Sequence, residues 1–211
     1  ELLEWRSEFP ILRNKCYLVN NSLGAMPLKV KERLLDFADE WATEGVVAWD
    51  KWLSVLTETA DLVGSIMGAV PGSVIMHQNV ASFQAIVASC FEFDSPRNKI
   101  VFEDGQFPSV SYLWKEYERA GAKVEIIPSK NGTTVDTQKL IDAIDETTLL
   151  VPISHVLFRS SFVQDVKAIV EKAHQVGAMV LLDVYQSIGI VPLDVSKLQV
   201  DMAVGGSVKW L

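Results

Sequence analysis

From residue 71 onward, short apolar runs alternate with longer stretches of helical periodicity. The runs are Val74-Ile75-Met76, Ile100-Val101-Phe102, Val124 to Ile127, Leu149 to Ile153, Val180-Leu181-Leu182 and Met202-Ala203-Val204. Each has strand length, and most are apolar on successive residues, as strands buried on both faces are. Between them lie helical spacings: Val80, Phe83, Ile86, Val87 and Cys90; then Leu140, Ile141 and Ile144; then Val166, Ile169, Val170 and Ala173. A further helix is predicted from Gln106-Phe107-Pro108-Ser109 to about Gly121. Asn79 and Asp136 are placed as N-caps, and Gly121 and Gly177 close helices. Pro152 inside an apolar run predicts a bulge or an unpaired position. Strand–helix alternation of this kind predicts an α/β fold, a three-layer sandwich with a mostly parallel central sheet.

The first 70 residues have a different rhythm. Residues 1–16 read as a short amphipathic segment, and Tyr17-Leu18-Val19 is strand-like. Asn20-Asn21-Ser22-Leu23-Gly24 is a polar loop ending in glycine. Pro27 suits a helix start, and Val30, Leu34, Phe37, Ala38 and Trp41 follow at helical spacing up to a Gly45 cap. A second helix carries Trp49, Trp52, Leu53, Leu56, Ala60, Val63, Ile66 and Met67. Its tryptophans are expected to be core or dimer contacts. The expected division is an N-terminal helical segment, 1–70, and a large domain, 71–211.

Composition narrows the function. The 211 residues are 49% hydrophobic, enough for a full core. A net charge of −8 argues against nucleic acid or an anionic membrane as partner. No apolar run approaches the roughly 18 residues of a membrane span. Cys16 and Cys90 are placed as reduced core residues, which points to a cytoplasmic setting. His77, His155 and His174 lack metal-ligand spacing. The chain starts at Glu1 and stops two residues after Lys209.

The candidate chemistry sits at the C-terminal ends of the apolar runs, where ligands bind in open α/β sheets. One run ends at Asp183, with Gln186 three residues on. The next ends in Gly205-Gly206-Ser207, followed by Lys209. A lysine in apolar surroundings is disfavoured as an ammonium, and its amine forms Schiff bases with carbonyls. An aspartate nearby can hold a pyridinium nitrogen protonated. Ser207 can bind a phosphate oxygen, and Asn79 and Val80 open a helix whose free N–H groups suit an anion. An aspartate after a strand is also a common N-cap, and a lysine there is often only solvated.

LLDVYQSIGIVPLDV followed by VDMAVGGSVKWL resembles the fold-type-I pyridoxal-phosphate enzymes. Within them the chain resembles the class V aminotransferase superfamily, which includes kynureninases and cysteine desulfurases. The resemblance implies pyridoxal 5'-phosphate as cofactor. Asp183 would bind the ring nitrogen, Gln186 would pack near the ring, and Lys209 would carry the cofactor. Asn79, Val80 and Ser207 would meet its phosphate. Phe107 would stack on the ring, with Ser109 following it in F-P-S, and Ser154 of S-H-V would be a further contact. Asn21 and Ser22 of N-S-L-G and Arg159 would face the substrate. The resemblance also implies a homodimer, an amino-acid substrate, and a small C-terminal domain that this chain does not include.

N-S-L-G, F-P-S and Ser207 favour a kynureninase-like hydrolase. Three departures weigh against it. Gln186 stands where kynureninases have His, Val208 where they have Tyr, and Val110 where they have Asp. Gln186 suits an aminotransferase or a cysteine desulfurase or lyase, which is the alternative. A non-catalytic binding module is the alternative of another class. No G-x-G-x-x-G follows a strand, which counts against a nucleotide-binding oxidoreductase.

Overall fold

A computed structural model describes residues 2–211. Five parallel strands form one sheet: β1 Lys99–Glu103, β2 Lys123–Ile127, β3 Thr148–Ser154, β4 Met179–Asp183 and β5 Met202–Val204. Their spatial order is β2-β1-β3-β4-β5. Alternate residues of each strand face opposite ways, so the sheet supports two cores. On one face Val101, Val151, Ile153, Val180 and Leu182 pack against α5 Thr137–Asp142 and α6 Val166–Gln175, through Leu140, Ile169, Val170 and Ala173. On the other, Ile100, Phe102, Leu150, Leu181 and Val204 pack against α3 Val80–Ala88 and α4 Pro108–Glu116, through Val80, Ala88, Val110 and Trp114. Full burial of one such aliphatic side chain stabilises the fold by about 1.5–3 kcal/mol. These are the three layers expected from the apolar runs.

Chain direction at each helix end follows the local chemistry. Asn79, Asp136 and Asp165 accept backbone N–H groups of Ser82, Lys139 and Ala168 and start α3, α5 and α6. Gly121 and Gly177 turn the chain with φ of 100° and 75°. Strand order reverses between β1 and β3, where crevices form at the C-terminal sheet edge. The β1–β3 register shifts at Leu149, between the pairs Lys99–Thr148 and Ile100–Leu150, and does not extend past Leu150. The irregularity expected at Pro152 therefore lies three residues earlier. Pro152 itself still pairs with Leu181 of β4.

The N-terminal region departs most from expectation. Tyr17–Val19 and Val74–Met76 are not strands, and Leu18 and Ile75 are 83% and 69% exposed. Neither segment lies beside a strand edge that pairs its backbone. Helices α1 Leu28–Glu44 and α2 Trp49–Ile66 form as the spacing predicts, but their apolar stripes are not a core. Leu34, Trp41 and Trp49 are exposed. The two helices meet through Phe37 and Trp52, with ring centroids 4.8 Å apart, and only the end of α2 joins the main core, through Val63 and Met67. Cys16 and Cys90 are exposed rather than buried. Helix α3 ends at Ala88, so its period does not carry Cys90 inward, and Ile86 also faces out. No helix among the described residues is long and apolar enough to cross a membrane.

Candidate active site

The C-terminal ends of β3, β4 and β5 converge. Asp183 ends β4, pairs in register with Ser154 of β3 and is buried. One carboxylate oxygen accepts the Tyr185 N–H at 2.8 Å. Burial pushes this carboxyl up to about 6, opposed by the Tyr185 N–H and the Lys209 charge. Lys209 follows β5, close enough to Asp183 for the two charges to influence each other. Burial holds its amine below the usual lysine range, and Asp183 opposes that shift. The Lys209 ammonium also rests on the Tyr185 ring, 4.6 Å from its centroid. Gly206 leaves the room for that ring, because a Cβ there would overlap it. Tyr185 was not singled out from the sequence. Only its place two residues after Asp183 pointed to it.

The loop Asn20–Gly24 is joined to the same place. Gln186 Nε2 donates to the Asn21 carbonyl at 3.1 Å. The Gly24 N–H donates to the Val208 carbonyl at 2.7 Å. A side chain at Gly24 would fall 2.7 Å from the Lys209 carbonyl oxygen. Asn20 Oδ1 accepts the Ala25 N–H, and the Tyr17 hydroxyl donates to the Leu23 carbonyl. A loop whose Asn21 lies 165 residues from Gln186 in sequence thereby becomes part of the lysine's surroundings.

A cavity of about 490 Å³ runs along β5. His77, Gln78, Asn79, Gly205, Gly206 and Ser207 line one part of it. Asn79 and Ser207 thus face one space, as a phosphate site requires. The Asn79 side chain caps α3 through the Ser82 N–H at 2.9 Å. What remains for an anion is the backbone of Asn79 and Val80, whose own side chain is in the core.

Phe107 is half exposed at the start of α4 and meets Phe158, with centroids 5.2 Å apart. Arg159 lies over Phe158 at 5.3 Å. Ser109 is exposed in the first turn of α4, and Ser22 closes a turn on Val19. No hydrogen bond or ion pair among the described residues links Arg159, Ser109 or Ser22 to Asp183 or Lys209. Val110, where kynureninases carry Asp, packs in the core beside Trp114 and Phe102.

Beneath Ser154 lies a polar group that sequence reading missed: Glu103, Gln106 and Gln164, all buried. The signal available was Glu103 itself, a carboxylate ending an apolar run.

The model of the aminotransferase class-V family matches residues 17–211. The chain belongs to that family. Its cofactor is pyridoxal phosphate. Among curated relatives, an uncharacterized aminotransferase of Bacillus subtilis, YcbU, is 28% identical over 99% of this chain and 55% of its own length. The kynureninase of Shouchella clausii is 28% identical over 96% of this chain and 50% of its own. The chain spans about half the length of the curated relatives it matches. Among solved structures, the Escherichia coli cysteine desulfurase CsdA superposes with a TM-score of 0.85 at 20% identity, covering 99% of this chain and 55% of that one. The cystine C-S lyase C-DES, solved with its product cysteine persulfide, gives 0.82 at 22% identity, covering 96% and 55%.

The site residues fit that cofactor. A buried carboxylate with one oxygen bonded to a backbone N–H stands ready for a pyridinium N–H. An amine of lowered basicity follows the next strand, and the cavity that Asn79 and Ser207 line, at the start of α3, suits a phosphate.

Proposed function

We propose that this chain binds pyridoxal phosphate through Lys209 and acts on an amino acid, with kynureninase-type hydrolysis as the leading activity. The observation that carries the reading is that Asp183 and Lys209, at adjacent strand ends, share Tyr185: one accepts its N–H and the other rests over its ring. The Asn20–Gly24 loop, sewn to Gln186 and Val208, supports the kynureninase-like assignment.

When bound, the cofactor supplies an electron sink for charge developing at the substrate α-carbon. Asp183 accepts a hydrogen bond from the ring nitrogen and keeps a proton there. Lys209 would hold the cofactor, and as an amine of lowered basicity it would move the α-proton of the substrate. The backbone at Asn79 and Val80, with Ser207, binds the phosphate. Phe107 would cover the ring, and the Ser154 hydroxyl, which donates to Gln106, would offer the cofactor an acceptor only.

Gln186 favours a second reading, an aminotransferase or a cysteine desulfurase or lyase. Two copies are proposed to pair through the exposed apolar faces of α1 and α2, around Leu34, Trp41 and Trp49. The two exposed thiols suit a reducing, cytoplasmic setting.

The test is a visible absorption titration with pyridoxal phosphate, then borohydride reduction and peptide mass mapping. A band that reduces onto Lys209 supports the reading. Turnover of kynurenine, of cysteine, or of an amino acid with a keto acid then separates the activities. No band would turn the assignment toward a non-catalytic binding module.

A further inference from the structure

Where the β1–β3 ladder stops, side chains take over. Glu103 Oε1 accepts the Ser154 N–H at 3.2 Å. Gln164 Nε2 donates to the Ser154 carbonyl at 2.6 Å. Gln106 accepts from the Ser154 hydroxyl at 2.9 Å and donates to the Pro152 carbonyl at 2.9 Å. These three side chains close the reversal point of the sheet. Ser154 pairs with Asp183, and Gln106 immediately precedes Phe107. The brace therefore reaches both flanks of the candidate site.

Two of its atoms are buried acceptors without a partner: Glu103 Oε2 and Gln164 Oε1. Both side chains are anchored on the backbone of Ser154, which brings the Gln164 amide near the Glu103 carboxyl. Turning the Gln164 amide over would set its oxygen against the Ser154 carbonyl, replacing a hydrogen bond with a repulsion. A proton on Glu103 turns its carboxyl into a donor and answers both acceptors at once. A buried network is stabilising only when every member is satisfied.

We propose that Glu103 is held as a neutral acid that donates to Gln164, and that it is a positioning residue. It fixes the β1–β3 spacing, and with it Ser154 and Phe107, for the cofactor. The consequence for the cofactor rests on the pyridoxal-phosphate reading. The proton does not, because it belongs to the chain alone.

The surroundings agree. Burial pushes Glu103 up to about 8, and the groups that oppose this are all neutral: its own backbone first, then the Ser154 N–H and the Gln164 and Gln106 side chains. Next to it in sequence, Asp104 is exposed and bonded to Ser129. Next to Ser154, His155 is buried, and burial lowers its basicity toward the neutral form.

The experiment uses chain labelled with carboxyl-¹³C glutamate, with Glu103→Gln assigning the resonance by its loss. At pH 7 the Glu103 resonance is expected at the protonated position, titrating near 8. Glu103→Gln keeps one acceptor and one donor in the same shape. It is expected to bind pyridoxal phosphate within about twofold of wild type, while Glu103→Leu weakens it by about tenfold or more. An ionised Glu103 resonance at pH 7, or a Glu103→Gln variant as defective as Glu103→Leu, would overturn the proposal. Should Glu103→Leu fail to fold, the titration and the Gln variant still decide it. If the wild type binds no pyridoxal phosphate, the functional reading fails while the titration still reports the proton.

Discussion

The Lys209 ammonium lies 4.6 Å from the centre of the Tyr185 ring, and Gly206 supplies the space that ring occupies. A cation over an aromatic face is stabilised by the ring's quadrupole. The aromatic side chain thereby fixes where the lysine waits. Gly206→Ala is expected to destabilise the fold by about 1–3 kcal/mol through overpacking. The same substitution in a Tyr185→Ala background should cost less than about 0.5 kcal/mol. Urea denaturation of the four proteins measures this coupling. Equal costs in both backgrounds would mean the glycine serves something other than the ring.

Asp183 makes stability depend on pH in a definite direction. Its folded value of about 6 lies above the ordinary aspartate value of 3.8, because burial disfavours the carboxylate. The folded state then binds the proton more tightly than the unfolded chain. The stabilising contribution is complete below 3.8 and lost as pH rises through 6. Wild type minus Asp183→Asn stability, followed by urea midpoint from pH 3.5 to 7, should therefore fall across that window. A rising difference would mean that Lys209 dominates the burial of Asp183. Pyridoxal phosphate should flatten the fall, since a pyridinium N–H gives the carboxylate a partner.

The sheet and its covering helices were legible because burial on two faces leaves a plain signature. Ile100–Phe102, Leu149–Ile153 and Val180–Leu182 are apolar on successive residues, and Asp136 and Gly177 mark helix ends by their own chemistry. Asp183 and Lys209 were legible as polar residues delivered by such runs. Val74–Met76 carried the same local signal but has no strand partner, which no window of sequence contains. The stripe of Trp41 and Trp49 looked like a core because helical period reports a face, not what covers it. Gln186 meeting Asn21, and Glu103 meeting Gln164, depend on separations of 165 and 61 residues set only by the tertiary fold.

The Asn20–Gly24 loop should depend on the glycine at its end. A Cβ at Gly24 would stand 2.7 Å from the Lys209 carbonyl and 3.0 Å from that of Val208. Both are backbone atoms that cannot rotate away. Gly24→Ala is expected to lift the loop, break the hydrogen bond to Val208 and weaken pyridoxal-phosphate binding by about tenfold. Hydrogen exchange at Gly24 and Gln186 in wild type, against residue 24 and Gln186 in the variant, gives a readout without cofactor. Unchanged protection would show that the loop docks by other contacts.

A buried polar pair ties the helix that presents the candidate phosphate site to its neighbour. Trp114 Nε1 of α4 donates to Gln84 Oε1 of α3 at 2.6 Å, and both side chains are almost wholly buried. Gln84→Leu removes the acceptor and strands the indole N–H, a loss of about 1–3 kcal/mol. Trp114→Phe in the same chain removes the stranded donor but leaves a smaller ring, so part of the loss should return and part remain as cavity cost. Because α3 begins at Asn79 and Val80, Gln84→Leu should also weaken binding of pyridoxal phosphate more than that of pyridoxal, which lacks the phosphate. Equal weakening of the two ligands would place the phosphate elsewhere than at the start of α3.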